Sequence, residues 1–139
     1  MRTVIQRVQK ANVSIGNQVY SSIATGLLIL LGVEEEDTEE DVNYLATKIL
    51  NLRIFADDEG KMNKSVLDIN GEILVVSQFT LHALTKKGNR PSFIKAAKPD
   101  KAIPLYDCFI TQLEQLSLQK IKTGKFGADM QIELINDGP

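Results

Sequence analysis

The sequence predicts an α/β fold: a single compact domain with mixed β-sheets and two main helices. Three observations carry this. Leu27–Val33 and Ile73–Val76 are apolar without interruption and read as central strands buried on both faces. Two later stretches repeat apolar residues at helical spacing. Turn signals at Gly16-Asn17 and Asn70-Gly71 punctuate the strands. At 139 residues the chain makes one domain. A chain of that size buries roughly two-thirds of its unfolded surface.

The elements follow in order. Thr3 and Ile5 alternate with Val4 and Val8, a strand. A short strand Val13–Ile15 reaches the Gly16-Asn17 turn, and Gln18–Ala24 returns. Leu27–Val33 is central. Thr38 is an N-cap, with Asp41 three residues on as a variant capping box. Val42, Leu45, Ala46, Ile49 and Leu52 form the buried stripe of the first helix. Arg53-Ile54-Phe55 leaves as a strand. Asp57–Gly60 is a turn, since it lacks the spaced ligands and closing glutamate of a calcium loop. After the central strand, Thr85–Pro91 is a loop and Ser92–Ala97 a short helix. Asp100 caps the second helix, with Pro104 in its first turn. Leu105, Phe109, Leu113 and Leu116 are its apolar stripe. Gln119–Thr123 and Ala128–Ile135 close the chain as strands.

Charge narrows the function. The net charge of −2 argues against a general nucleic-acid binder. Its distribution is uneven. Glu34–Asp41 holds seven acids and no base, which the positive end of the first helix explains better than a metal site does. Lys86–Lys101 holds six bases against Asp100 and directly follows the central strand. That basic run is a solvated face or a phosphate-attracting rim, and position alone leaves both open. One cysteine, Cys108, permits no internal disulfide and fits a reducing compartment. The longest apolar run, Gly26–Val33, is too short to span a bilayer, and the N-terminus alternates instead of forming a signal core. These readings point to a cytoplasmic protein with no membrane partner.

The central strand ends in Ser77, Gln78, Phe79 and Thr80. Strand ends in α/β proteins deliver side chains and free N–H groups to a crevice. Alone, Ser77 and Thr80 read as hydroxyls bonding local backbone. The combination with a basic loop raises the segment to a candidate catalytic site. Conventional catalysts are scarce. His82, the lone histidine, reads as a surface residue with no acid to orient it. Cys108 reads as packing. One Cys and one His exclude a zinc site built from those ligands, and no metal or cofactor is expected. Chemistry here would rest on backbone N–H donors and on groups the substrate brings, which suits cleavage of an activated ester.

Ser77-Gln78-Phe79-Thr80-Leu81 together with Asn136-Asp137-Gly138-Pro139 resembles the D-aminoacyl-tRNA deacylase family. Ile5–Val8, Gly26-Leu27-Leu28, Leu31-Gly32-Val33, Gly60–Asn63, Arg90–Phe93 and Thr123–Met130 fall in the family's order and spacing. The resemblance implies a homodimer, with its active site at the subunit interface, that hydrolyses D-aminoacyl-tRNA. It also implies that glycyl esters can be substrates. Ser77–Leu81 would lie against the amino acid and adenosine. Gly138-Pro139, joined by a cis peptide bond, would enter the partner's pocket and check handedness. There an L side chain collides and a hydrogen does not. Arg7 matches the residue that steadies this pair; without the resemblance it reads as a surface strand arginine. Met130 joins Arg7, Gly138 and Pro139 as a substrate-contacting residue, and Lys86, Lys87 and Arg90 are the expected tRNA contacts. The family continues past Gly-Pro with a final strand, so the resemblance implies that the C-terminal strand is missing here.

Two mechanisms carry over. Thr80 is the nucleophile, or the N–H groups near Gln78 and Phe79 hold the oxyanion while the tRNA's ribose 2′-hydroxyl assists. The absence of a base for Thr80 favours the second. The rival from another class is a non-catalytic dimeric nucleic-acid binder on the same scaffold.

Overall fold

In the computed structural model, which describes residues 1–138, the chain opens with a single long strand, β1 (Arg2–Ile15). The sequence reading divides this stretch in two. The reason lies in the pairing. Opposite β8 (Gln131–Asn136) the register slips between Val8 and Lys10. A bulge shifts the alternation of side chains without ending the strand. β2 (Gln18–Ile23) returns from the Gly16-Asn17 turn, where both residues have positive φ, and pairs with Ala11–Ile15. β3 (Gly26–Gly32) pairs antiparallel with Arg2–Val8.

Two crossovers then build the parallel part of the sheet. From β3 the chain runs through α1 (Glu39–Asn51) to β6 (Glu72–Ser77), parallel to β3. From β6 it runs through α2 (Pro99–Ser117) to β7 (Lys122–Thr123), parallel to β6. The six-stranded sheet has the order β2-β1-β3-β6-β7, with β8 also on β1. This is the predicted α/β architecture, with a mixed sheet and two main helices. Among the described residues no helix is long and apolar enough to cross a membrane.

Several local expectations are corrected. The Thr38–Asp41 capping box forms as predicted, but α1 ends at Asn51, so Leu52 is its C-cap and not part of the stripe. The strand after it is only β4 (Phe55–Ala56). It pairs with an unpredicted β5 (Met62–Lys64) as a separate two-stranded sheet. Asp57 organises that hairpin, taking Asn63 Nδ2 at 2.7 Å and the Lys61 N–H at 2.9 Å. α2 begins at Pro99, whose fixed φ suits the first helical position. Asp100 therefore lies within the first turn and caps nothing, and Pro104 falls in the second turn. Ser92–Ala97 is not helical. Bridges Leu84↔Ser92 and Glu34↔Ala96 hold it in irregular, partly extended form.

The two apolar runs divide their side chains cleanly, as period-two strands must. Leu27, Ile29, Leu31, Ile73 and Val75 face the helices, packing with Val42, Ile49, Phe109 and Leu113. Leu28, Leu74 and Val76 face the other way, into a second core with Val8, Val13 and Ile23. Gly26 is needed where β3 starts: a Cβ there would lie 1.8 Å from the Glu72 carbonyl oxygen. Tyr106 ties α2 to β6, its buried hydroxyl donating to Val75 O at 3.1 Å, and burial pushes that hydroxyl's pKa up. β6 is thus held on both faces and both edges, a rigid base for the residues at its end.

Candidate active site

Ser77 is the last residue of the β3–β6 ladder, opposite Leu31. Gln78 then leaves the sheet, its N–H donating to Leu31 O at 2.7 Å. That bond removes the Gln78 N–H from the expected set of oxyanion donors. The chain tightens into a 3₁₀ turn, Phe79–His82, closed by Leu81 N–H to Gln78 O at 3.2 Å and Ala83 N–H to Thr80 O at 3.1 Å. The first N–H groups of such a turn have no partner within it. Among the described residues the N–H groups of Phe79 and Thr80 donate to nothing.

The side chains around them are fixed. Thr80 Oγ1 accepts from Gln78 Nε2. Phe79 is exposed and meets Phe93 edge-to-face at 5.2 Å. The Arg2 guanidinium donates to Leu81 O and holds the turn from β1. His82 contradicts its surface assignment. It is 3% exposed, with Nδ1 3.4 Å from Glu34 Oε1. The sequence reading found no acid for it because Glu34 lies 48 positions earlier and reaches it only through the β3–β6 pairing. No hydrogen bond joins His82 to Thr80 among the described residues. Leu84 and Ser92 exchange backbone bonds and close the loop between them, in which Lys86, Lys87 and Arg90 are exposed.

The second predicted segment is assembled by Arg7. Its Nε donates to Asp137 O, its Nη1 to Ile54 O at 2.6 Å, and its guanidinium lies 5.9 Å from the centre of the Phe55 ring. The Asp137 N–H returns a bond to Arg7 O at 2.9 Å. Gly138 has φ +79°, and a Cβ there would sit 2.5 Å from Arg7 Nη2. Its carbonyl accepts from Gln6 Nε2 at 3.2 Å and Asn136 Nδ2 at 3.0 Å. Arg2 is a site-supporting residue that the sequence did not reveal, and Gln6 and Asn136, which stand within the matched strings, carried no assigned role there. A polar residue on an alternating strand carries no sign of what it reaches. Pro139 and its expected cis bond lie outside the described residues. Met130 packs over Gly124 beside Val76, one residue before Ser77.

The structure brings Ser77–His82 together and, separately, Arg7 with Asp137-Gly138. Arg2 holds the first group and Arg7 the second. Five residues of extended β1 place those two anchors about 16 Å apart. Two surface hollows, of about 540 and 650 Å³, lie elsewhere. One is against β8, between Lys10 and Leu134, and one along α1, between Tyr44 and Arg53. Neither includes Ser77–Thr80.

The chain is similar to known proteins over its whole length. Residues 4–139 match the family model described as D-Tyr-tRNA(Tyr) deacylase. The D-aminoacyl-tRNA deacylase of Flavobacterium psychrophilum is 61% identical over 139 residues, all of this chain and 93% of that protein. The one from Cytophaga hutchinsonii is 63% identical over the same shares. A solved structure described as "c-Myc DNA Unwinding Element Binding Protein" is 45% identical with a TM-score of 0.94, covering all of this chain and 94% of that one. A second, described as a probable eukaryotic D-amino acid tRNA deacylase, is 16% identical with a TM-score of 0.84 over 99% of this chain and 94% of that one, a likeness of fold.

Proposed function

The chain belongs to the D-Tyr-tRNA(Tyr) deacylase family, and we propose that it serves as a chiral proofreading enzyme in the cytoplasm. It is a D-aminoacyl-tRNA deacylase, a hydrolase of ester bonds. In our reading it works as a homodimer. Glycyl esters, including glycine mischarged on the alanine tRNA, are further substrates.

What supports the two-chain reading is that the half-sites hang from different anchors. Arg2 holds the Ser77–Thr80 turn through Leu81 O and Arg7 holds Asp137-Gly138, and the backbones of the two arginines stand about 16 Å apart along β1. In this reading a substrate carbonyl seated at the turn meets the Gly138 of a second copy. Gly138 with Pro139 then checks the substrate's Cα. The carbonyl of Gly138, held by Gln6 and Asn136, belongs to a rigid wall, and a wall discriminates by collision.

The chemistry follows from what the turn offers. The N–H groups of Phe79 and Thr80 hold the developing oxyanion. Water adds to the ester carbonyl carbon. The ribose 2′-hydroxyl passes its proton to the departing 3′-oxygen and regains one from the attacking water. Thr80 is a poor nucleophile because its oxygen already accepts from Gln78, and His82, the chain's single histidine, is turned to Glu34. Lys86, Lys87 and Arg90 form the rim that meets tRNA phosphates. Ester release from D- and L-tyrosyl-tRNA tests the reading; D-selective release supports it, and equal or absent release overturns it.

A second reading has one observation in its favour. The 45% identical neighbour is described as a DNA-unwinding-element binder. On that reading the scaffold binds nucleic acid without cleavage. Binding of tRNA with no release of D-amino acid would favour it.

A further inference from the structure

The mechanism above leaves a buried titratable side chain idle. His82 is the last residue of the 3₁₀ turn that carries the Phe79 and Thr80 N–H groups. Its ring lies over Gly32 at the end of β3. A Cβ on Gly32 would come within 3.0 Å of Cδ2, 3.1 Å of Nε2 and 2.9 Å of Gln78 O, so ring, strand end and turn fill the space completely. Neither ring nitrogen makes a hydrogen bond among the described residues. A buried imidazole with both nitrogens unsatisfied is unfavourable and calls for a cause. Beside Nδ1 stands Glu34, whose Oε1 is 3.4 Å away. Glu34 is itself fixed. Its N–H donates to Asp37 Oδ2 at 2.6 Å, it bridges Ala96, and the Ala97 N–H holds Val33 O at 2.9 Å.

We propose that His82 is a positioning residue for ester hydrolysis: its Nδ1–H and the Glu34 carboxylate lock the turn against the end of β3 and so aim the Phe79 and Thr80 N–H groups at one point. The inference rests on the reading of those two groups as oxyanion donors. At 3.4 Å the contact is a few tenths of an ångström longer than a typical hydrogen bond, and a small shift of the ring closes it. Glu34 and His82 thereby couple β3, the turn and the segment entering α2, which carries Phe93 under Phe79.

The test is steady-state deacylation of D-tyrosyl-tRNA by full-length wild type, His82→Leu, His82→Asn and Glu34→Leu. His82→Leu and Glu34→Leu lower kcat by about ten- to a hundred-fold, the worth of one hydrogen bond to a charged group, with KM within about twofold. His82→Asn keeps most of kcat, because its amide nitrogen takes the place of Nδ1. Combining His82→Leu with Glu34→Leu costs no more than His82→Leu alone, since both break one contact. A wild-type kcat in His82→Leu or Glu34→Leu overturns the proposal, as does equal loss in the Leu and Asn variants or a change in KM alone. Should His82→Leu fail to fold, Glu34→Leu against His82→Asn decides it. Phe79→Pro, which deletes one N–H, separates the two levels. A wild-type rate in that variant overturns the oxyanion reading. A slow Phe79→Pro beside a wild-type His82→Leu overturns the role of His82 alone.

Discussion

Gly138→Ala tests the second half-site most sharply, and the structure sets its size. The residue has φ +79°, where an alanine costs about 1–2 kcal/mol. The new Cβ would also sit 2.5 Å from Arg7 Nη2. To clear it the guanidinium must swing away, weakening its bonds to Asp137 O and Ile54 O. Losing one such charge-assisted bond costs about 1.5–3 kcal/mol. The total opposing the ordered segment is roughly 2.5–5 kcal/mol, or about 10²–10⁴ in kcat/KM on D-tyrosyl-tRNA. The fold itself is spared, because neither Asp137 nor Gly138 belongs to a hydrophobic core cluster. The assay is ester release from D- and L-tyrosyl-tRNA, with thermal unfolding as control. Expected is that large fall in D-ester turnover with Tm within about 4 °C of wild type. A kcat/KM within about threefold of wild type would refute the assignment of Gly138 to the site.

Other consequences are equally direct. Thr80→Ala retains kcat within about tenfold of wild type if the turn's N–H groups carry catalysis; a trapped acyl-threonine or complete loss with an intact fold would show a nucleophile instead. Lys86→Glu with Arg90→Glu weakens tRNA binding and flattens the slope of log K against log salt by about two, so an unchanged slope removes the basic rim. The Asp57 carboxyl, held by Asn63 Nδ2 and by the Lys61 and Glu59 N–H groups, has its pKa lowered. Its share of stability is present above the ordinary carboxylate range and is lost as pH falls below about 4. Asp57→Asn should therefore blunt the acid-induced drop in Tm, and an identical acid limb by circular dichroism would contradict this.

How much was legible in the sequence depended on whether the cause was local. The two central strands, both helices and the Thr38–Asp41 box announced themselves through period and cap chemistry, which act within a few residues. Alternation could not show that β1 is one strand, because the slip at Val8–Lys10 belongs to its pairing with β8. β5 was invisible, since Met62-Asn63-Lys64 has no apolar pattern and is held by Asp57. At the site, Ser77–Thr80 could be read from the way an apolar strand gives way to hydroxyls and an amide. The spent N–H of Gln78 could not, because its acceptor, Leu31 O, comes from β3. Nor could the burial of His82, which depends on the bare Gly32 beneath its ring. Arg7 was recoverable only through resemblance, since its reach to Asp137 and Ile54 depends on tertiary contacts far along the chain.

The most direct test of a site shared between two chains is complementation. Gly138→Ala spoils the segment given to the partner, and Phe79→Pro spoils the turn that receives it. Each homodimer should be nearly inactive on D-tyrosyl-tRNA. Unfolded and refolded together in equal amounts, half the dimers are mixed, and each mixed dimer holds one intact site. Activity should then recover to about a quarter of wild type. A mixture no more active than the two variants assayed apart, with mixed dimers shown to form, would contradict the shared site.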